Sequence, residues 1–291
     1  MAILFALLSS LFIGLNTIVI KKILSKATPF YTATILTFVS MVIFWILAFL
    51  VLPRGLILSN IKANIFFVLA GFFAPGLVRW FFFTSIDRIG VSISSSILAT
   101  IPAFASIMAI LFLGEKLSLG LAAGIVLIVS GIIIFERDKK SSQPDRQFSR
   151  KNLVIPFMAA VSGAVAITFR KIGLQELDAP VLGAALGFSS AIAMYLGILA
   201  MSPKRRKEFV FKPGDFVQFF TGGLSLAVGW LCLFYALSYG NVILVAPLSA
   251  LHPLVVLILS AIFLKDVERI TTKTVLGCVL VLCGVAFITI G

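Results

Sequence analysis

Charge is scarce in this chain. Only 12% of its 291 residues are charged, about half the share of a soluble domain. Acids are scarcer than bases: eleven Asp and Glu stand against 24 Lys and Arg. None of the eleven falls inside an apolar run, and all sit in polar breaks or at run ends such as Asp87. That excludes an obvious carboxylate proton relay or a buried carboxylate site for cations. There is one histidine, His252, with no Cys, His or acid at ligand spacing, so no metal site is expected. Cys232, Cys278 and Cys283 all lie in apolar runs and imply neither a disulfide framework nor a metal centre. An enzyme working inside a membrane would need convergent acids, a metal cluster or a nucleophile beside a base. None is present, so no catalytic residue, enzymatic activity or cofactor is expected.

Apolar residues fill the space that charge leaves. They make up 60% of the chain, with 28 Phe and 22 Gly, more apolar surface than one soluble core could hide. Lipid is the solvent this composition fits. The net charge of +13 does not point to nucleic acid. The bases cluster in short breaks, at Lys21, Lys22 and Lys26, from Arg137 to Lys151, and from Lys204 to Lys207, without an interleaved aromatic stripe. Such breaks read as loops at an anionic membrane surface.

A spanning helix needs about 20 mostly apolar residues. Ten segments qualify: Ala2–Ile20, Phe30–Leu52, Asn64–Ile86, Val91–Leu113, Leu117–Phe135, Leu153–Phe169, Pro180–Met201, Phe216–Leu237, Val242–Leu264 and Thr272–Ile290. The first has no basic residues before it and no convincing cleavage site, so it is read as a span and not as a removed signal. The longest polar break, Glu136 to Lys151, reads as a linker (136–151) between halves spanning 1–135 and 152–291.

The halves echo one another. A shift of 151 places Gly71 on Gly222, Arg79 on Trp230, Ala99 on Ala250 and Pro102 on Pro253. After a two-residue insertion, a shift of 153 places Glu115 on Glu268, Gly124 on Gly277 and Gly131 on Gly284. An ordered series of this length points to an internal repeat. Five spans is an odd number, so the second half enters the membrane inverted. The expected fold is therefore an all-α membrane protein of ten transmembrane helices, built as two inverted five-helix repeats. Two such halves can open a central path to either side in turn; a duplication kept only for packing is the alternative. The phrase "FLGEKLS" (Phe112–Ser118) and its echo "FLKDVERIT" (Phe263–Thr271) read as charged interfacial turns. Glu115 and Glu268 are placed to favour the N-terminus of the helix that follows each.

The stretch "SILATIPAFASIMAILFLGEKLSLGLAAGIVLIVSGIIIF" resembles the end of an EamA-type repeat of the drug/metabolite transporter superfamily. So does "LSALHPLVVLILSAIFLKDVERITTKTVLGCVLVLCGVAFI". The likeness is carried by Pro102 and Pro253, Glu115 and Glu268, and the glycine pairs Gly124/Gly131 and Gly277/Gly284. It implies a ten-helix carrier of small metabolites, often amino acids and commonly moved outward, in the cell membrane of a bacterium or archaeon. It leaves the substrate open. Basic residues fall about 18 to five in favour of the loops after odd-numbered spans, which places both termini outside. Members of the family usually have both ends inside.

Seven residues are candidates for a substrate site. Arg79 reads as the one strong base within a span, either an anchor for a carboxylate or phosphate or a residue snorkelling to the interface. Trp230, its repeat partner, could line the same path. His252 lies between Pro247 and Pro253, where span nine should bend, with Ser249 one turn earlier; a buried structural His is the other reading. Asn16, Ser96 and Tyr235 could line the path or serve interhelical hydrogen bonds. The expectation is export of a small carboxylate-bearing solute by alternating access. Without acids in the spans, facilitated diffusion or exchange is favoured, with His252 a reserve proton carrier. Alternatives are a flippase for a lipid-linked phosphate and a non-transporting receptor or assembly subunit. Small-xxx-small spacings at Gly120/Gly124 and Gly183/Gly187 permit close helix packing and, more weakly, a homodimer.

Overall fold

The computed structural model describes residues 1–24, 27–53, 55–138, 150–206, 216–263 and 272–290. All regular elements among them are helical. The first half holds α1 (Ala2–Leu24), α2 (Pro29–Val51), the short α3 (Leu56–Ser59), α4 (Ile61–Gly71), a π turn (Phe72–Leu77), α5 (Val78–Leu98), α6 (Ile101–Leu113) and α7 (Leu119–Asp138). The second holds α8 (Val154–Glu176), α9 (Pro180–Met201), the short α10 (Pro203–Arg206), α11 (Phe216–Tyr239), α12 (Val242–Ser249), α13 (His252–Phe263) and α14 (Thr272–Ile290). Among the described residues, six helical stretches are long and apolar enough to cross a membrane, and four shorter apolar helices accompany them. Large apolar side chains such as Phe49 (74% exposed) and Leu111 (69%) face outward, as a lipid-bathed surface requires.

Local chemistry sets the ends. Thr28 accepts the Tyr31 N–H ahead of Pro29, which has no N–H to orphan at the start of α2. Asn60 caps α4 through the Ala63 N–H at 3.0 Å, and its own amide donates to the Glu176 carbonyl. Lys62 pairs with the Glu176 carboxylate at 2.7 Å, joining α4 to the end of α8. Gly114 ends α6 with φ +65, a left-handed position that favours glycine.

The boundaries differ from the sequence reading in two places that matter. Spans three and four were expected to part near Asp87–Gly90, but α5 runs unbroken from Val78 to Leu98 and the break falls at Ala99–Thr100. A helical Gly costs only about 1 kcal/mol. Pro102 cannot donate the N–H that would bond Leu98, so the chain breaks there. Pro253 does the same to span nine, which divides at Ala250–Leu251 into α12 and α13. Span six was expected to end at Phe169. With no breaker before Pro180, α8 continues to Glu176 and carries Arg170 and Lys171 into the interior, 2% and 9% exposed.

Helices pair across the halves. α7 packs on α14, α1 on α11, α4 on α8 and α2 on α9. The α7–α14 seam is antiparallel and glycine-lined. A Cβ on Gly124 would lie 2.8 Å from the Gly284 carbonyl oxygen, and one on Gly131 would lie 2.7 Å from that of Gly277. Gly71 brings α4 closer still to α9, since a Cβ there would collide with the Gly187 carbonyl oxygen. The Gly183/Gly187 spacing is thus occupied inside the molecule, with Gly183 against Phe67 and Phe234. Asn16 donates from α1 to the Gly222 carbonyl of α11 at 2.6 Å. Ser40 donates from α2 to the Gly223 carbonyl at 2.8 Å.

Candidate functional site

A cavity of about 350 Å³ opens between the halves. Its walls are mostly apolar, and five polar or charged side chains reach it: Arg79, Ser95, Arg170, Ser249 and His252, with Trp230 beside them. Among the described residues, no Asp or Glu lines it.

The π turn builds one wall. Ala74 leaves helical geometry there (φ −146, ψ 124) ahead of Pro75. Backbone freed at membrane depth must find partners within the protein. The Ala74 carbonyl accepts from the Arg170 guanidinium, and the Pro75 carbonyl accepts from the Tyr195 hydroxyl at 2.8 Å. Both donors come from the second half.

Arg79 follows in the first turn of α5. Its Nη1 donates to Thr37 Oγ1 on α2 at 2.9 Å and, more loosely, to the Ala33 carbonyl at 3.4 Å. Arg170 enters from α8. Its guanidinium carbon lies 4.3 Å from the centre of the Trp230 ring and 5.6 Å from that of Phe234. Trp230 is steadied in turn by an edge contact with Phe188 at 5.3 Å. Stacking on an indole face satisfies a cation's field without neutralising it. Among the described residues neither guanidinium pairs with a carboxylate. A charge of this kind at membrane depth costs about 2.5–3.5 kcal/mol on insertion scales, so the cavity holds two unneutralised cations.

Of the sequence candidates, Arg79, Trp230, Ser249 and His252 come together on this cavity. Ser249 donates to the Ala246 carbonyl at 3.1 Å, where α12 ends. His252 opens α13 just beyond the break. Asn16 and Tyr235 are not on the cavity wall: Asn16 is engaged with Gly222, and Tyr235 stacks with Phe5 at 5.4 Å. The side chain of Ser96 lies outside the described residues. Arg79 is not the lone strong base of the spans, since Arg170 faces the same cavity. Its signal was spacing: Gly163, Ile167 and Arg170 fall on one helical face, and all three line the cavity.

The Glu-Lys turn also acts elsewhere than expected. Glu115 does not cap α7, the helix that follows it. Its carboxylate accepts the Val242 and Ile243 N–H groups at 2.8 and 2.9 Å, capping α12 in the other half. Beside it, Lys171 donates to the Leu237 and Gly240 carbonyls at 2.7 and 2.9 Å, and Asp178 accepts from Ser238. The α11–α12 corner is therefore held by three charged side chains. Glu268, the repeat partner of Glu115, lies outside the described residues.

A chain this apolar, whose described elements are all helical and closed around a cationic interior cavity, is a multi-pass membrane protein. It belongs to the EamA-like transporter family, whose model matches residues 1–137 and 151–290. That family is one of transporters and not of enzymes. Over 113 residues the chain is 31% identical to a "Probable magnesium transporter" of Candida albicans, covering 35% of this chain and 30% of that one. Over 65 residues it is 37% identical to the uncharacterized protein MJ1333.1 of Methanocaldococcus jannaschii, covering 22% of this chain and 46% of the other. The chain thus spans less than half the length of each of these curated relatives. A solved structure described only as "Crystal structure of protein" shares the fold, with a TM-score of 0.80 at 15% identity over 99% of this chain and 96% of that one.

Proposed function

We propose that this transporter carries a small anionic, carboxylate-bearing solute, exporting it by alternating access through the cavity between its halves. The observation that carries the reading is the pairing of Arg79 and Arg170 on one cavity whose lining, among the described residues, includes no acid. Unpaired guanidiniums in a low-dielectric site select anions, and Arg presents a planar fork that matches a carboxylate. The same lining disfavours a divalent cation, which takes oxygen ligands and usually carboxylates; the magnesium transport named for the Candida relative is not carried over.

Support for two inverted halves of five crossings comes from the packing pattern. If α1, α2, α4, α6 and α7 correspond to α8, α9, α11, α13 and α14, exchanging the halves maps α1–α11 onto α8–α4 and leaves α2–α9 and α7–α14 in place. Corresponding helices α7 and α14 run antiparallel along their glycine seam, as inversion demands. The breaks before Pro102 and Pro253 also correspond, so each half sets a broken helix beside the cavity.

The test is reconstitution of the full chain in liposomes, with counterflow measured for a panel of amino acids, organic acids, inorganic phosphate, phosphorylated lipids and magnesium. Saturable exchange of an anion supports the reading. Exchange of magnesium or of neutral solutes alone overturns the substrate class, and no exchange of any member overturns the carrier.

A further inference from the structure

We infer that the solute bears two negative charges, one for each arginine, and that Arg170 is the residue that sets this requirement. The inference rests on the anion-carrier reading above and narrows its substrate class.

The two cations belong to different halves. Arg79 is carried by α5 and tied to α2 through Thr37. Arg170 is carried by α8 and fixed between the Trp230 ring and the Ala74 carbonyl. Arg79 bonds Thr37 through Nη1 and also meets the Tyr195 hydroxyl, and Arg170 bonds the Ala74 carbonyl through Nη2. A guanidinium has five N–H donors, so both forks have donors to offer a ligand. Neither can lose its charge, because a guanidinium does not deprotonate in proteins.

Charge balance then decides the ligand. Two like charges on one apolar-walled cavity repel each other more strongly than they would in bulk water. A monoanion neutralises one and leaves the other buried and uncompensated, the costly case for a desolvated ion. A dianion neutralises both. The volume of about 350 Å³ lies at the small end of ligand pockets, which run from about 300 to 1,000 Å³. That suits a compact solute with its charges a few bonds apart: a short dicarboxylate or a small phosphate monoester. Such a solute also links the halves, since its two charges are met by arginines from different ones.

The experiment compares charge states in proteoliposomes of the full chain. Three probes compete for counterflow: a four-carbon dicarboxylate, its monomethyl ester, and inorganic phosphate. Native protein is expected to prefer the dicarboxylate or phosphate over the monoester by at least about tenfold, the loss of one charge-assisted contact. Whichever dianion leads tells whether carboxylate or phosphoryl chemistry is the source. Arg170→Gln should bring the ratio to about one, Arg170→Lys should keep a preference for dianions, and Arg79→Gln should weaken all three probes. A monoester that competes as well as the dicarboxylate on native protein overturns the inference without any variant. So does an Arg170→Gln ratio equal to the native one. Monoester exchange that needs Arg79 but not Arg170 sinks the second charge and leaves the anion carrier standing. Failure of every anion on native protein sinks the anion-carrier reading on which the inference rests.

Discussion

Glu115 Oε2 accepts the Ile243 N–H at 2.9 Å, so the turn between α6 and α7 caps a helix in the opposite half. Its other oxygen takes the Val242 N–H at 2.8 Å. One side chain thereby satisfies two orphan donors of α12 and adds favourable charge at that helix's N-terminus.

Removing the cap should show as lost stability. Glu115→Ala is expected to cost about 0.5–2 kcal/mol, the usual range for a cap. Glu115→Gln should cost less, because the amide oxygen can still accept. Thermal unfolding of the purified protein in detergent reads both, and an alanine variant as stable as the native protein would refute the cap.

The α7–α14 seam predicts intolerance of the smallest side chain. In Gly124→Ala or Gly131→Ala the new methyl meets a facing carbonyl at 2.8 or 2.7 Å, so the helices must part. Overpacking of this kind costs about 1–3 kcal/mol. Gly197→Ala is the control, since nothing stands within 4 Å of its added Cβ. Equal melting temperatures for all three would show that the seam is looser than described.

Asn16 should matter to the bundle and not to the solute. Its 2.6 Å bond to Gly222 joins α1 to α11, and such interhelical bonds average about 0.6 kcal/mol. Asn16→Ala is expected to lower the melting temperature slightly while leaving the KM for counterflow unchanged. A large rise in KM with an unchanged melting temperature would place Asn16 in the binding site.

Arg79 should set affinity. Arg79→Ala is expected to weaken an anionic solute by about 1.5–3 kcal/mol, the range for a hydrogen bond to a charged group, or roughly tenfold to a hundredfold. Arg79→Lys should recover part of it. Concentration dependence of counterflow measures both, and an unchanged KM in Arg79→Ala removes the residue from the site.

The termini are expected outside. Arg170 and Lys171 leave the loop tally because α8 buries them, and both had counted on the base-poor side. The bias toward basic loops after odd-numbered spans is therefore stronger than the bare sequence implied. A C-terminal fusion to a reporter active only in the cytoplasm should stay silent; strong activity would reverse the orientation.

Helix and membrane character were legible because they follow from apolar run length, a property summed over many residues. Family membership was legible because Pro102, Pro253 and the paired glycines sit at fixed spacings. Cross-half contacts were not. The partner of Glu115 lies 127 residues away, and local charge logic assigned it to the helix next in sequence. Arg170 was missed because a basic pair after Phe169 looks like a span end, although no breaker follows until Pro180. Asn16, Trp230 and Tyr235 are all polar-edged residues in apolar runs; only the fold separates the one on the cavity from the two engaged elsewhere.

The π turn makes the two halves interdependent from the outset. Its Ala74 and Pro75 carbonyls are answered by Arg170 and Tyr195, side chains made some 96 and 120 residues later. A ribosome that has released only the first five helices has released a segment whose backbone is still waiting for donors. Splitting the gene at the linker should therefore yield stable protein only when both pieces are expressed together.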